Sequence, residues 1–170
     1  PTAFSYALQY SAADARTQNQ MKAFIYDFDY LSVSDVEGGT GLDYATANDP
    51  RVPVTQEFGP FSRFDGRTPM FQYTRYNNFG VGIVNASGIE ARLIEAEAAL
   101  KGGQTGTWLS KLNEARATMT GLAPLTDPGT PTARLDLTFR ERAFWMFGTA
   151  HRLGDMRRLV RQYGRASTSV

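Results

Sequence analysis

Hydrophobic residues recur with a helical period along the second half of the chain. Ile89 and Leu100 delimit an apolar stripe in a segment that begins at Ser87, and Glu90 stands three residues after that serine. A serine followed at this spacing by glutamate is the pattern of a capping box. A capping box ahead of an apolar stripe predicts a helix over residues 87–101.

Three further segments carry the same period and are joined by short connections, which predicts two antiparallel helical hairpins. We expect the second helix to end at Gly121 and the third, which is apolar nearly all round and should be deeply buried, to end or bend at Gly148. The fourth should run to about Tyr163. The apolar positions of these helices are Trp108, Leu112, Ala115 and Met119, then Leu135, Leu137, Phe139, Ala143, Phe144 and Phe147, then Met156, Leu159 and Val160. The predicted fold class is mainly α, with tetratricopeptide-like stacked hairpins.

Residues 1–85 follow a different pattern. They hold 15 of the 21 aromatic residues but only three leucines, and turn-forming sequences such as EGGTG, NDPRVP and FDGRTP interrupt them. We therefore predict a loop-rich aromatic segment with at most short strands, packed on the helical part formed by residues 86–170. One short strand is expected in KAFIYDFDY, residues 22–30, where aromatic residues alternate with others. Together the two parts form one domain or part of a larger one.

The composition excludes several kinds of chemistry. The formal net charge of +1 gives no general attraction to nucleic acid or anionic lipid, although residues 1–85 carry six basic and nine acidic residues and residues 86–170 carry twelve and eight. The absence of cysteine excludes disulfides, a thiolate nucleophile and cysteine-bound zinc. No apolar run approaches the roughly 20 residues that span a bilayer, so the segment is expected to be soluble. Because the chain begins at Pro1, we expect any targeting signal to lie upstream.

The second half of the chain resembles, in the order and spacing of its motifs, the C-terminal region of the SusD/RagB-like proteins. These are the outer-membrane nutrient-binding lipoproteins of Bacteroidetes and related bacteria. The segments that carry the resemblance are GIEARLIEAEAALKGG, WLSKLNEARATMTGLAPL and FRERAFWMFGTAHRLGDMRRLVRQYG. Three motifs in the right order are far more specific than any one of them. The resemblance covers about residues 87–164, and NDPRVPV fits the family more loosely.

The resemblance implies a tetratricopeptide-rich protein of the cell surface. Such a protein lies on a SusC-like TonB-dependent transporter and captures an oligosaccharide or another nutrient for import. The family is longer than this chain and its lipidated cysteine would lie upstream, so the outer membrane would be reached only through an anchor outside these residues. We expect no enzymatic activity, no cofactor, no bound metal and no nucleic-acid partner.

Charged residues on the last two predicted helices match the family pattern. They are Glu141, Arg142, Arg152, Asp155 and Arg158. The family's Glu-Gly between the second and third of them is replaced by Thr149 and Ala150, which puts in doubt any buried carboxylate at that place. Spacing predicts that Asp155 lies between Arg152 and Arg158 on one face of the last helix. Glu141 could pair with another of these arginines across the hairpin. We predict a structural network that locks the helices together, without a catalytic role.

The predicted ligand site depends on the loop-rich segment. Sugar rings stack on aromatic side chains, while amides and carboxylates bind the hydroxyl groups. The candidate ligand-binding residues are Tyr30, Asp43, Tyr44, Tyr73, Tyr76, Asn77 and Asn78. No catalytic residue is assigned.

Other hypotheses stay open. Asp27 and Asp29 stand two apart, as in a glycosidase pair, although solvated positions opposite an aromatic packing face explain them more simply. His151 has no serine or cysteine positioned beside it and is expected to be structural. The loop DVEGGTGLD, residues 35–43, offers oxygen donors to calcium but does not match the helix-loop-helix motif. The hairpins could instead form a scaffold for a protein partner or for further copies, which an exposed apolar groove on them would favour.

Overall fold

A computed structural model describes residues 2–35 and 41–167. The chain is helix-rich with a few short strands, which confirms the expected mainly α class at this level. It divides into two compact units, which we call the helical unit (Pro1–Tyr6 and Val84–Val170) and the loop unit (Ala7–Ile83). The strands are Ser5–Leu8 (β1), Val54–Thr55 (β2), Gln72–Tyr73 (β3) and Ile83–Ser87 (β4). They form two-stranded sheets in which β1 neighbours β4 and β2 neighbours β3.

The helical unit is built from helices whose ends are set by capping residues. The helices are Gly88–Lys101 (α1), Thr105–Arg116 (α2), Pro131–Trp145 (α3) and Arg152–Tyr163 (α4). Ser87 Oγ accepts a hydrogen bond from the Glu90 amide at 3.1 Å, which confirms the predicted start of α1. Thr130 does the same for α3 through the Ala133 amide. Gly164, with φ of 65°, ends α4 in the left-handed conformation that glycine adopts at little cost.

The core of the helical unit lies where α1 packs against α2 and α3. Leu93, Trp108 and Leu112 are fully buried there. Burial of a side chain of this size stabilises the fold by about 1.5–3 kcal/mol. Trp108 Nε1 donates a hydrogen bond to Thr138 Oγ1 at 2.7 Å, so the buried indole N–H on α2 is satisfied by a hydroxyl on α3.

Two predicted helix ends were wrong. The second helix ends at Arg116, five residues before Gly121, because the chain turns there and Thr118 Oγ1 donates to a carbonyl of the last helical turn at 2.7 Å. The third helix ends at Trp145, three residues before Gly148, which adopts a φ of 70° in the following turn. Gly121 and Gly148 therefore lie in the loops that follow α2 and α3, and the helices end several residues before them.

The loop unit has an aromatic core. Its most buried side chains include Tyr44, Val52, Met70, Tyr73 and Tyr76. The rings of Tyr73 and Tyr76 meet edge to face, with their centroids 5.5 Å apart. Antiparallel pairing of β2 and β3 places Val54 opposite Tyr73. In this leucine-poor unit, large aromatic rings thus supply much of the buried apolar area.

The strand predicted over residues 22–30 was wrong. Ala23–Asp27 forms a π-helical turn, in which the Phe28 amide donates to the Ala23 carbonyl at 2.9 Å. Ile25, Tyr26 and Asp29 are buried, whereas Phe24, Phe28 and Tyr30 are exposed. The alternation of aromatic residues therefore did not mark a strand with one buried face. Contacts with other segments of the loop unit determine which of these side chains are buried.

Candidate functional site

A buried charge network links three helices of the helical unit. Arg142 of α3 donates to both oxygens of Asp155, from Nε at 3.0 Å and from Nη2 at 3.1 Å. Arg158, one turn further along α4, donates to the same carboxylate at 2.7 Å. Asp155 therefore lies between two guanidinium groups, of which spacing predicted Arg158 but not Arg142 of the preceding helix. The bidentate geometry suits arginine's planar fork.

The network continues to α1 through Glu97. Arg158 Nη1 lies 2.5 Å from each oxygen of Glu97, and the Tyr163 hydroxyl donates to the same carboxylate at 2.7 Å. Burial lowers the pKa of Arg158, but the hydrogen bonds to Glu97 and Asp155 outweigh this effect and raise it. Burial, together with the bond to Glu97, raises the pKa of Tyr163 to about 12.

Glu141 of α3 forms an ion pair with α2. Its carboxylate accepts from Arg116 Nη1 at 2.8 Å, and both side chains are largely buried. Arg116 is a partner that spacing did not predict, whereas the expected pairing of Glu141 across the second hairpin stays a prediction. Sequence reasoning missed Glu97 and Arg116. The signal for Glu97 was its place on the apolar stripe of α1, where a charge must find a partner.

His151 belongs to the turn between α3 and α4. Its Nδ1 lies 2.8 Å from both the hydroxyl and the carbonyl of Thr149, and its Nε2 lies 3.3 Å from a carboxylate oxygen of Glu90. The next residue upstream, Ala150, has a φ of 66°, a conformation that costs a residue with a Cβ about 1 kcal/mol or more.

Three predicted ligand residues are core residues. Tyr44 and Tyr73 are each 3 % exposed and Tyr76 is 0 % exposed. Burial raises the pKa of Tyr73 and of Tyr76. Their ring faces cannot stack on a sugar, so the prediction is corrected for these three. The leucine-poor loop unit needs them as core.

The other predicted ligand residues lie at the surface of the loop unit. Asp43, Asn77 and Asn78 are exposed. Asn78 Oδ1 accepts from the Gly80 amide at 2.7 Å, so this oxygen shapes a turn. Tyr30 is 55 % exposed and is the only one of the predicted tyrosines that presents its ring to solvent.

Tyr30 is the centre of an exposed aromatic cluster, which we define as Phe24, Phe28, Tyr30 and Phe64. Its ring lies nearly parallel to Phe28, with centroids 5.3 Å apart, and to Phe24, with centroids 6.4 Å apart. Phe64 meets it edge to face at 5.2 Å. Sequence reasoning missed Phe64; its place in the turn-forming sequence FDGRTP was a signal that the ring is exposed.

An ion pair beside the cluster joins its two chain segments. Arg63 donates to Asp29 from Nε at 2.7 Å and from Nη2 at 3.1 Å, and to the Tyr26 carbonyl at 2.6 Å. The Arg63 amide also donates to the Asp29 carboxylate, and the guanidinium lies 4.0 Å from the centroid of the Phe58 ring. Asp29 immediately precedes Tyr30 in the chain, and Arg63 immediately precedes Phe64. The ion pair therefore fixes where the two rings meet.

The carboxylates of this segment do not resemble a glycosidase pair. The hydrogen bond from Arg63 lowers the pKa of Asp29, and a general acid requires the opposite shift. Asp27 pairs with Lys22 at 2.5 Å. The expectation that both are solvated is wrong for Asp29, which is 5 % exposed.

The proposed calcium loop lies largely outside the described residues, which omit 36–40. Asp35, at its start, accepts hydrogen bonds from the amides of Ala45 and Thr46 at 2.8 and 2.9 Å. Within residues 2–35 and 41–167, no three histidine or carboxylate side chains are placed to hold a metal ion.

A groove runs along α1 and α4 in the helical unit. One cavity of about 610 Å³ is lined by residues that include Ile94, Ala98, His151, Gly154 and Arg158. A second of about 380 Å³ is lined by residues that include Leu100, Thr105, Pro131 and Leu135. The two share Glu97, Lys101 and Tyr163. Ile94, at 54 % exposure, presents apolar surface there.

Comparison with known proteins gives no relative: no protein-family model, no curated protein and no solved structure matches the chain. Across the part of the chain that is described, no helix has both the length and the apolar character needed to cross a membrane.

Proposed function

We propose that this chain is part of a SusD/RagB-like surface protein that binds an oligosaccharide and delivers it to a SusC-like TonB-dependent transporter. In this proposal the protein is held at the outer membrane by a lipid anchor upstream of these residues. The helical unit is its tetratricopeptide-like portion, with stacked hairpins, and the loop unit carries side chains that contact the ligand.

The observation that carries the proposal is the exposed aromatic cluster around Tyr30. Soluble proteins seldom expose several neighbouring aromatic rings unless these bind something. Rings with exposed surface and charged side chains beside them match the combination of stacking and hydrogen bonding that sugars require.

The turn between α3 and α4 supports the family resemblance. Ala150 adopts a left-handed conformation at the position where the family pattern has glycine. Arg142, Asp155 and Arg158, which match the family's charged positions, bond to one another. Residues that match the family motif in sequence order thus also have a backbone conformation and hydrogen bonds that are consistent with it.

The test is calorimetric titration of the protein with hexasaccharides. Neutral ones (cellohexaose, maltohexaose and mannohexaose) and acidic ones (oligogalacturonate) are compared with a peptide of similar length. Saturable binding of any of the sugars is expected. The proposal fails if none of the sugars binds. Co-purification with a TonB-dependent transporter from the native host tests the delivery step.

A scaffold without a small ligand is the second candidate. The groove along α1 and α4, with Ile94 at its edge, favours it. Its charged lining residues Glu97 and Asp155, however, are already bonded within the helical unit. Stable self-association in sedimentation analysis, together with absence of sugar binding, would favour this candidate.

A further inference from the structure

We propose that the aromatic cluster of Phe24, Phe28, Tyr30 and Phe64 is the stacking surface for a neutral oligosaccharide. This inference rests on the proposed function and assigns it a site and a ligand class. It replaces the buried tyrosines of the sequence prediction with rings that a ligand can reach.

The first argument is exposure. Phe64 is 72 % exposed, Tyr30 55 %, Phe28 50 % and Phe24 39 %. Exposed apolar surface on this scale costs free energy in water, at about 25 cal/mol per Å². The apolar face of a sugar ring can cover it, while the sugar hydroxyl groups remain available to water and to side chains at the edge.

The second argument is preorganisation. The rings contact one another at centroid distances between 5.2 and 6.4 Å, so each restricts its neighbour. The Asp29 and Arg63 pair joins the segment that carries three of the rings to the segment that carries Phe64. Ser62 Oγ adds a hydrogen bond to the Asp29 carbonyl at 3.2 Å. A surface fixed in this way loses little conformational entropy when a ligand binds.

The third argument is charge. The charged groups beside the rings are neutralised locally, Asp29 by Arg63 and Asp27 by Lys22. An acidic sugar therefore finds no uncompensated cation in these pairs. The Arg63 side chain is nevertheless 48 % exposed and that of Asp27 39 %, so both can still bind hydroxyl groups. This balance favours a neutral ligand.

The experiment compares Phe64→Ala and Tyr30→Ala with the unaltered protein. Phe4→Ala is the matched control, because Phe4 is a similarly exposed ring, at 59 %, that belongs to the helical unit and not to the cluster. Affinity for the tightest of the three neutral hexasaccharides is measured by calorimetry. Each cluster variant should weaken binding roughly three- to tenfold, and the control should leave it unchanged. Unchanged melting temperatures verify folding.

Salt tests the ligand class. Affinity should be nearly the same at low salt and at about 0.5 M NaCl, where surface charges are screened. Preference for oligogalacturonate with strong salt dependence would overturn the neutral class.

The remaining outcomes separate this inference from the proposed function. Binding of a neutral hexasaccharide that neither cluster variant weakens would refute the stacking surface and leave the proposed function intact. Loss of transporter co-purification in Phe64→Ala, with sugar binding unchanged, would assign the cluster to the transporter contact instead. Absence of binding to any sugar by the unaltered protein would refute both.

Discussion

Asp29 and Arg63 form a bidentate ion pair across 34 positions of the chain. Each immediately precedes an aromatic residue, and the rings of these two residues, Tyr30 and Phe64, meet edge to face. The Asp29 side chain is 1 % exposed, while that of Arg63 is half exposed. The pair therefore has a buried acceptor and an accessible donor. Asp29 also adopts a φ of 53°, a conformation that Asp and Asn tolerate better than most residues.

This pair predicts an acid dependence of the loop unit. Because the hydrogen bond from Arg63 lowers the pKa of Asp29, the folded state favours the ionised carboxylate. The stability that it contributes is fully present above the carboxyl's unfolded pKa of about 4 and is lost as pH falls through the lower folded value. Urea unfolding followed at pH 7 and pH 3 should show a smaller loss of stability for Asp29→Asn than for the unaltered protein. Asparagine tolerates the positive φ, so the variant changes mainly the charge. Equal pH dependence of the two proteins would contradict the assignment.

The charge network of the helical unit predicts a large effect of Asp155→Ala. Asp155 is 3 % exposed and its loss leaves Arg142 without a bonded carboxylate, while Nη1 of that arginine already lacks a hydrogen-bond partner among the described residues. Removal of one member of a buried ion pair costs about 3–5 kcal/mol. The free energy of unfolding in urea should fall by that amount.

The control for this change is Asp136→Ala on α3. Asp136 also pairs with an arginine, Arg165, but its side chain is 58 % exposed. An exposed pair contributes about 0–1 kcal/mol. Equal losses in the two variants would show that burial does not determine the strength of the network.

The helices could be predicted from the sequence, but only some of their side-chain partners could be. Local signals were sufficient to predict the start of α1 and the end of α4, since Ser87 and Gly164 act through the backbone next to them. The partner of Asp155 on another helix required the packing of α3 against α4. Spacing along α4 predicted partners on the same helix, such as Arg158, because it carries no information on neighbouring helices.

The exposed cluster could not be predicted, because aromatic residues serve both as core and as surface. Tyr30 and Tyr73 are chemically identical, yet one is 55 % exposed and the other 3 %. The difference arises from contacts with other parts of the chain: Tyr73 lies in β3, which pairs with β2, and its ring meets that of Tyr76. The regular alternation of residues 22–30 gave a strand prediction for the same reason: it describes the sequence and not the partners.

Tyr163 provides a spectroscopic test of the network. Its pKa is raised to about 12, first by burial and then by the bond to the Glu97 carboxylate. Its ring signal should therefore titrate about two pH units above an ordinary tyrosine in carbon NMR, with Tyr163→Phe identifying the resonance. Glu97→Gln should lower the value toward 10. Because the folded pKa is raised, stability that depends on the neutral phenol is present below pH 10 and is lost as pH rises through 12. A normal pKa for Tyr163 would contradict the bond to Glu97.

Ala150→Gly should stabilise the protein. Ala150 has a φ of 66° in the turn between α3 and α4, and glycine adopts this conformation without a clash of the Cβ. Relief of the strain is worth about 1 kcal/mol, partly offset by the greater freedom of glycine in the unfolded chain. The midpoint of urea unfolding should therefore rise. Ala98→Gly is the matched control, because Ala98 is exposed within α1, where glycine costs about 1 kcal/mol. A fall of the midpoint in both variants would mean that the turn does not hold Ala150 in a left-handed conformation.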